Sequence, residues 1–136
     1  VAHGLYRFDD IPQSARDQFM EAVLRAGRSA YLTRDAVLAL HDLALANPRK
    51  IRVATPSRER RRLPDFVDVE RRALPAEEIT SYEGIPSTTI GRALLDSRGL
   101  IMADRLIAAA RDAATLGLLR RDEAERVLAE LEATVP

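Results

Sequence analysis

The middle third of the chain changes the spacing of its apolar residues from that of a helix to that of a strand, and then back again. Residues 50–56, 65–74 and 79–82 alternate apolar and polar side chains, which is typical of half-buried strands. Elsewhere apolar residues recur every three to four positions, as in amphipathic helices. With a short strand at residues 3–8, the predicted order is a strand, two helices, three strands and three helices. This order favours an α+β fold, a small sheet of about three to four short strands packed with five helices, over a repeating βαβ unit.

Capping residues set the expected bounds of the first two helices. Asp10 or Ser14 is the expected cap of the first helix, and Gly27 is its expected end. Thr33 is the expected cap of the second, whose apolar pattern runs up to an Asn-Pro stop at residues 47–48.

Composition excludes several kinds of chemistry. The chain has 136 residues, which corresponds to one domain, and no cysteine, so thiol catalysis, disulfides and cysteine–zinc sites are absent. Its two histidines, His3 and His41, lie far apart and have no second ligand type at a useful spacing, so no metal site is predicted. No phosphate-loop, dinucleotide-binding or GxSxG pattern occurs. No apolar run reaches the ~20 residues that span a bilayer, and no signal peptide is predicted. We therefore expect a cytoplasmic protein without a membrane partner or a cofactor.

Basic residues are concentrated in one segment. The chain carries 21 basic and 21 acidic residues, but residues 49–62 hold seven basic groups and one acidic group. Arginine offers a planar fork of donors that suits phosphates and carboxylates, so this segment is predicted to bind phosphates or an acidic protein. A solvated hairpin tip whose arginines oppose edge-to-edge pairing explains the segment equally well. The candidate binding residues here are Arg49, Lys50, Arg52, Arg58, Arg60, Arg61 and Arg62.

A faint nuclease pattern overlaps the next strand. Asp65, Asp68 and Glu70 are carboxylates that a metal-dependent nuclease could use to hold Mg²⁺. In a strand, however, Asp68 and Glu70 share one face, so an ordinary exposed strand face also explains them.

The segment "YEGIPSTTIGRALLD" at residues 82–96 is predicted to form a strand–turn–helix corner. Its hydroxyl residues stand where a helix N-terminus can hold a phosphate, but it lacks the glycines and lysine of a phosphate loop. Pro86 also removes one backbone donor. Ser87 or Thr88 is therefore the expected helix cap, and Arg92 and Asp96 the expected i, i+4 pair.

The order of several short motifs resembles the AbiEi family of bacterial antitoxins. The corner is preceded by "IRVATPSRERRRLPDFVDVERRALPAEEIT", similar to the family's strand, basic loop and second strand. "AYLTRDAVLALHDL" is similar to a family helix after its cap, and "LLDSRGLIMADRLIAAARDAATLGLL" to its paired helices. "HGLYRF" resembles the last strand, or wing, of the family's N-terminal winged-helix domain. The resemblance covers nearly the whole chain.

The resemblance implies a regulatory domain rather than an enzyme. Residues 1–8 would be the end of a winged-helix wing, and residues 9–136 the C-terminal antitoxin domain. The domain would neutralise a cognate toxin of nucleotidyltransferase fold and would support repression of its own operon. Operator DNA would be contacted mainly through a winged-helix domain that this chain largely lacks, so we expect an excised domain or a shortened protein.

The resemblance also assigns roles to individual positions. The arginines at Arg58, Arg60, Arg61, Arg62, Arg71 and Arg72 would contact DNA phosphates or the toxin. A structural corner would be formed by Pro86, Thr88, Arg92 and Asp96, in which Arg92 and Asp96 tie the helix to the sheet. A contact with a partner is the alternative role for Arg92.

A third interpretation is a dimerisation domain. The helical apolar faces near residues 116–119 and 127–131 would then pair between two chains. The sequence leaves the oligomeric state open.

Overall fold

The computed structural model describes residues 13–57 and 62–133. Within them the chain folds as an α+β domain with five α-helices and one mixed sheet of five strands. The helices are α1 Gln13–Ala26, α2 Arg34–Leu40, α3 Ile90–Asp96, α4 Ala103–Thr115 and α5 Arg121–Ala133. The strands are β1 Tyr31–Leu32, β2 Ile51–Thr55, β3 Val67–Arg71, β4 Ile79–Tyr82 and β5 Ile85–Thr88, with a 3₁₀ turn at Ala76–Glu78. The predicted α+β class is confirmed, but the sheet has five strands rather than three to four. The strand and wing predicted within residues 1–8 lie outside the described residues.

A strand of two residues holds the sheet together. The strand order is β3-β2-β1-β5-β4, in which β1 pairs antiparallel with β2 and parallel with β5. Tyr31 and Leu32 are 2% and 0% exposed. The sequence pattern does not predict this strand, because two residues are too few to display a period of two.

The basic segment does not form a hairpin tip, so that interpretation is wrong. Strands β2 and β3 are parallel, with Ile51 opposite Val67 and Thr55 opposite Arg71. The carboxyl end of β2 and the amino end of β3 therefore lie at opposite ends of the strand pair, whereas a hairpin would place them side by side. The pairing buries Val67, while Val69 on the edge strand is partly exposed.

Helix α2 ends earlier than predicted. It stops at Leu40 rather than at residues 47–48, because Asp42 adopts a left-handed conformation with φ 56°. The N–H of Leu43 donates to the carbonyl of Leu38 at 2.8 Å, and that of Asp42 to Ala39 at 3.1 Å. These are the two bonds of a Schellman motif. Buried Leu43, which continued the helical pattern in the sequence, instead packs after the turn.

The corner at residues 82–96 is present, with a different cap. Glu83 and Gly84 both have positive φ, the pattern of the tight turn that joins β4 and β5. Ser87 and Thr88, the predicted caps, are buried in β5. Thr89 is the cap of α3, since its hydroxyl oxygen accepts from the N–H of Arg92 at 3.3 Å.

The two faces of the sheet have different surroundings. Leu32, Ile51 and Val53 are buried in the hydrophobic core, and α1 packs across β1, β2, β3 and β5. The side chains of β2 and β3 that point the other way include Arg52 and Glu70, which pair with Asp35 and Arg34 at the start of α2. Helices α4 and α5 pack on each other and on α3. None of the helices in the described part of the chain is both long enough and apolar enough to cross a membrane.

Candidate functional site

Four arginines and four carboxylates meet on the polar face of β2 and β3. We call this group the ion-pair cluster. It joins residues that are far apart in the sequence. They come from helices α2 and α3, from strands β2 and β3, and from the residue that follows β3. Its members are Arg34, Asp35, Arg52, Asp68, Glu70, Arg72, Arg92 and Asp96.

Asp96, the last residue of α3, has the most partners in the cluster. Its carboxylate accepts from Arg72 Nη1 at 2.7 Å and from Arg92 Nε at 3.1 Å, and the side chain is 8% exposed. Its backbone carbonyl accepts from Arg34 Nη1 at 2.8 Å. The expected Arg92–Asp96 pair is therefore present. Through Arg72, which follows β3, Asp96 also ties α3 to the edge of the sheet.

Arg34 lies at a strained backbone position. Its φ is 55°, in the left-handed region that costs a residue with a side chain about 1–2 kcal/mol. Its guanidinium donates to both carboxylate oxygens of Glu70, at 3.0 and 3.2 Å. The hydrogen bonds to Glu70 raise the pKa of Arg34 above its ordinary value. These contacts, with the bond to Asp96, offset the backbone strain.

Arg52 connects the sheet to α2. Its Nη1 lies 2.9 Å from a carboxylate oxygen of Asp35, and its Nε lies 3.9 Å from Asp68. Strand register places Arg52 directly opposite Asp68. A small cavity of about 110 Å³ lies between Arg34, Arg52, Asp68 and Glu70.

The nuclease pattern does not converge on a metal-binding space. Asp65 is exposed in the turn before β3, while Asp68 and Glu70 face arginines. In residues 13–57 and 62–133, no group of three or more histidine, aspartate or glutamate side chains could hold a metal ion. A cation at Asp68 and Glu70 would have to displace two guanidinium groups.

A second set of basic side chains is exposed. Within the described part of the chain, these four side chains make no ion pair and no side-chain hydrogen bond. Three of them precede β2 or β3, at the amino end of the parallel pair, and the fourth is the last residue of β3. We call them the unpaired basic set: Arg49, Lys50, Arg62 and Arg71.

The predicted binding residues therefore divide into three groups. The unpaired basic set contains four of them. Arg52 and Arg72 belong instead to the ion-pair cluster, where each is half-buried. Arg58, Arg60 and Arg61 lie outside the described residues.

The remaining corner residues, Pro86 and Thr88, both lie in strand β5. Pro86 lies in β5 opposite Ser81. Thr88 is buried, and its hydroxyl donates to the carbonyl of Thr89 at 3.1 Å.

Three residues in or near the cluster were missed by the sequence-based prediction. Arg34 and Asp35 stood in the sequence only as helix positions after Thr33. Tyr31 lies in β1, and its hydroxyl donates to the carbonyl of Arg72 at 2.7 Å. Burial raises the pKa of Tyr31 above its ordinary value. No local signal marks Arg34 or Tyr31, because their partners lie 36 to 62 positions away.

The apolar faces considered for dimerisation are largely used within the chain. Val127 and Leu131 are 2% and 0% exposed, and Leu119 is buried as well. Leu116 is 63% exposed.

No family model, curated protein or solved structure matches this chain. The class of the protein therefore rests on its structure alone. It is a small α+β domain that contains the ion-pair cluster and, among the described residues, the exposed unpaired basic set.

Proposed function

We propose that this chain is a non-enzymatic regulatory domain of an AbiEi-type antitoxin. In this role it binds a toxin of nucleotidyltransferase fold and supports operon repression together with a winged-helix DNA-binding domain. The domain acts in the cytoplasm, a reducing compartment that suits a chain without cysteine. The motif order in the sequence supports the family assignment.

The observation that carries the proposal is the division between paired and unpaired arginines. The four arginines of the ion-pair cluster each have a carboxylate within 4 Å. The unpaired basic set has none among the described residues and is exposed. Exposed charges without internal partners leave their field open to a second molecule.

The same division argues against hydrolytic chemistry at the acidic residues. Metal-assisted catalysis requires carboxylates that can hold the ion and an open position for substrate. Asp68 and Glu70 are instead oriented towards Arg52 and Arg34. We therefore expect binding without turnover.

The unpaired basic set is suited to an acidic protein surface or to phosphates. Arg49, Lys50 and Arg62 lie near one end of the β2–β3 pair, where charge complementarity can orient a partner and speed its association. DNA binding by this domain alone is expected to be weak and to fall steeply with salt, because it involves phosphate contacts without a recognition helix.

The test is a calorimetric titration with a candidate toxin of nucleotidyltransferase fold. We expect Arg49→Glu/Lys50→Glu/Arg62→Glu to weaken binding by about tenfold or more, since charge reversal replaces attraction by repulsion. The matched control is Arg25→Glu/Arg28→Glu/Arg111→Glu, which changes the net charge equally at exposed arginines elsewhere. Equal effects of the two triple variants would contradict a specific role for the unpaired basic set. A folded protein that binds no such toxin would contradict the antitoxin assignment itself.

A further inference from the structure

The turn that follows α2 has backbone strain at two residues that are not glycine. The N–H of Ala46 donates to the carbonyl of Leu43 at 3.1 Å, so Ala44 and Leu45 are the central residues of a tight turn. Their φ angles are 59° and 53°, in the left-handed region that residues with a side chain rarely adopt. Turns with positive φ at both central positions normally carry glycine, asparagine or aspartate there. Alanine and leucine therefore make this turn less stable than the usual residues would.

The leucine of this turn is also left in solvent. Leu45 is 84% exposed and Met102, which precedes α4, is 68% exposed; they are the two most exposed large apolar side chains in the described part of the chain. Both residues are hydrogen-bonded to Arg105. Its Nη2 donates to the carbonyl of Leu45 at 3.0 Å, and its backbone N–H donates to the carbonyl of Met102 at 3.1 Å. The two exposed side chains therefore belong to one small region of the surface.

Arg105 holds the strained turn in place. Its Nε donates to the carbonyl of Ala44 at 3.1 Å, and its Nη2 donates to the same carbonyl. Leu43, the residue before Ala44, is 3% exposed and fixes the turn to the core. Backbone strain that the surroundings maintain is typical of binding and catalytic sites. A fixed conformation also reduces the entropy lost on binding, so the turn is suited to present Leu45 to a partner.

Two members of the unpaired basic set lie beside the turn. Arg49 and Lys50 follow Leu45 by four and five positions. An extended chain rises at most about 3.6 Å per residue, so the Cα atoms of Leu45 and Arg49 lie within about 14 Å of each other. A protein interface of ordinary size covers about 800 Å² on each partner, with an apolar centre and a polar rim. The exposed leucine and the two basic residues therefore fit within one interface.

We propose that Leu45 and Met102 are the apolar anchor of the surface through which Arg49 and Lys50 bind a protein. The partner has an apolar pocket that takes the side chain of Leu45, and carboxylates at the rim of that pocket pair with the two basic residues. A nucleic-acid backbone offers phosphates but no such pocket, so the anchor favours a protein partner over DNA. The inference rests on the proposed function, because it assigns the anchor of the toxin-binding surface.

The test measures by calorimetry the affinity of the full chain for the same candidate toxin of nucleotidyltransferase fold. Leu45→Ser should weaken binding by about tenfold or more, because a few buried anchor residues supply most of the binding free energy of an interface. Met102→Ser should weaken it in the same direction. Leu24→Ser is the matched control: Leu24 is 65% exposed on α1, and this variant should bind the toxin like the unaltered chain.

A stability measurement separates an anchor from a residue that only supports the fold. Leu45→Gly should raise the melting temperature by about 3 °C, because glycine accepts φ 53° without strain. The same variant should bind the toxin about tenfold or more weakly, because the anchor side chain is lost. A residue that only supports the fold would not gain stability on replacement by glycine.

Three results would overturn the inference. In the first, Leu45→Ser binds as well as Leu24→Ser while Arg49→Glu/Lys50→Glu/Arg62→Glu binds weakly; the proposed function then stands without this anchor. In the second, Leu45→Gly has a lower melting temperature and an unchanged affinity. In the third, the folded chain binds no such toxin, which overturns the anchor and the antitoxin assignment together.

Discussion

Arg52 and Arg62 belong to the same basic run, yet the fold gives them different surroundings. Arg52 is half-buried and held by Asp35 at 2.9 Å. Arg62 is exposed, and no described side chain pairs with it. The difference arises from carboxylates that lie on other elements, not from the arginines themselves. A run of positive charge in a sequence is therefore a mixture of structural and available groups, and only the tertiary structure separates them.

The two groups should respond to substitution in opposite ways. Removing one partner of a half-buried pair leaves the other charge uncompensated, which destabilises the fold. Removing an exposed, unpaired charge changes stability little, because the charge is already solvated. Stability and partner affinity thus become separate readouts for the ion-pair cluster and the unpaired basic set.

The largest expected effect on stability is at Asp96. Asp96→Ala leaves Arg72 and Arg92 without their shared carboxylate, and we expect it to lower the free energy of unfolding by about 3 kcal/mol. Urea denaturation measures this value. Asp112→Ala, at an exposed acid of α4 with no side-chain pair among the described residues, is the control and should change stability by at most about 0.5 kcal/mol. Similar losses of unfolding free energy in the two variants would show that the ion-pair cluster stabilises the fold no more than an exposed carboxylate does.

Burial of His41 makes the stability of the fold sensitive to acid. The pKa of His41 is about 4 in the folded chain, whereas the ordinary pKa of a solvated histidine is 6.5, so between these limits the unfolded chain binds more protons. Stability should therefore fall as the pH drops from about 6.5 towards 4, by on the order of 2–3 kcal/mol in total. Urea midpoints measured across this range test the slope.

His41→Leu should remove the histidine part of that slope. A slope that persists fully in His41→Leu would show that His41 does not cause the acid sensitivity.

A smaller effect is expected at Arg34, where strain and pairing oppose each other. Arg34→Ala and Arg34→Gly both remove the bonds to Glu70, but only glycine accepts φ 55° without strain. We expect Arg34→Gly to be more stable than Arg34→Ala by about 1 kcal/mol, the reverse of their helix propensities. Thermal or urea unfolding of the two variants compares them directly. If Arg34→Ala proves more stable than Arg34→Gly, the left-handed backbone conformation at this position does not destabilise the fold by the expected amount.

Apolar spacing predicted much of the fold because each element carries its own period. Ile51 and Val53 alternate in β2, and Gly27 and Gly84 occupy backbone positions with positive φ at a helix end and a turn. The i, i+4 spacing of Arg92 and Asp96 likewise predicted their pair. In all these cases the interaction lies within a few residues.

The remainder depends on long-range contacts. Strand β1 has only two residues, so no local sequence pattern predicts that it is the central strand of the sheet. Strands β2 and β3 pair in parallel, whereas their proximity in the sequence suggested a hairpin. The pair between Arg72 and Asp96 joins positions that are 24 residues apart, so no local pattern predicts it.

The most direct test measures by calorimetry the affinity for the proposed toxin partner in two variants, Arg49→Glu/Lys50→Glu/Arg62→Glu and Arg72→Ala. The triple variant should lose about tenfold or more in affinity while its unfolding free energy stays within about 0.5 kcal/mol of the unaltered chain. Arg72→Ala should be destabilised yet bind the toxin normally below its unfolding transition, because its guanidinium is committed to Asp96. Normal binding by the triple variant together with lost binding by folded Arg72→Ala would contradict the division of the arginines into structural and available groups.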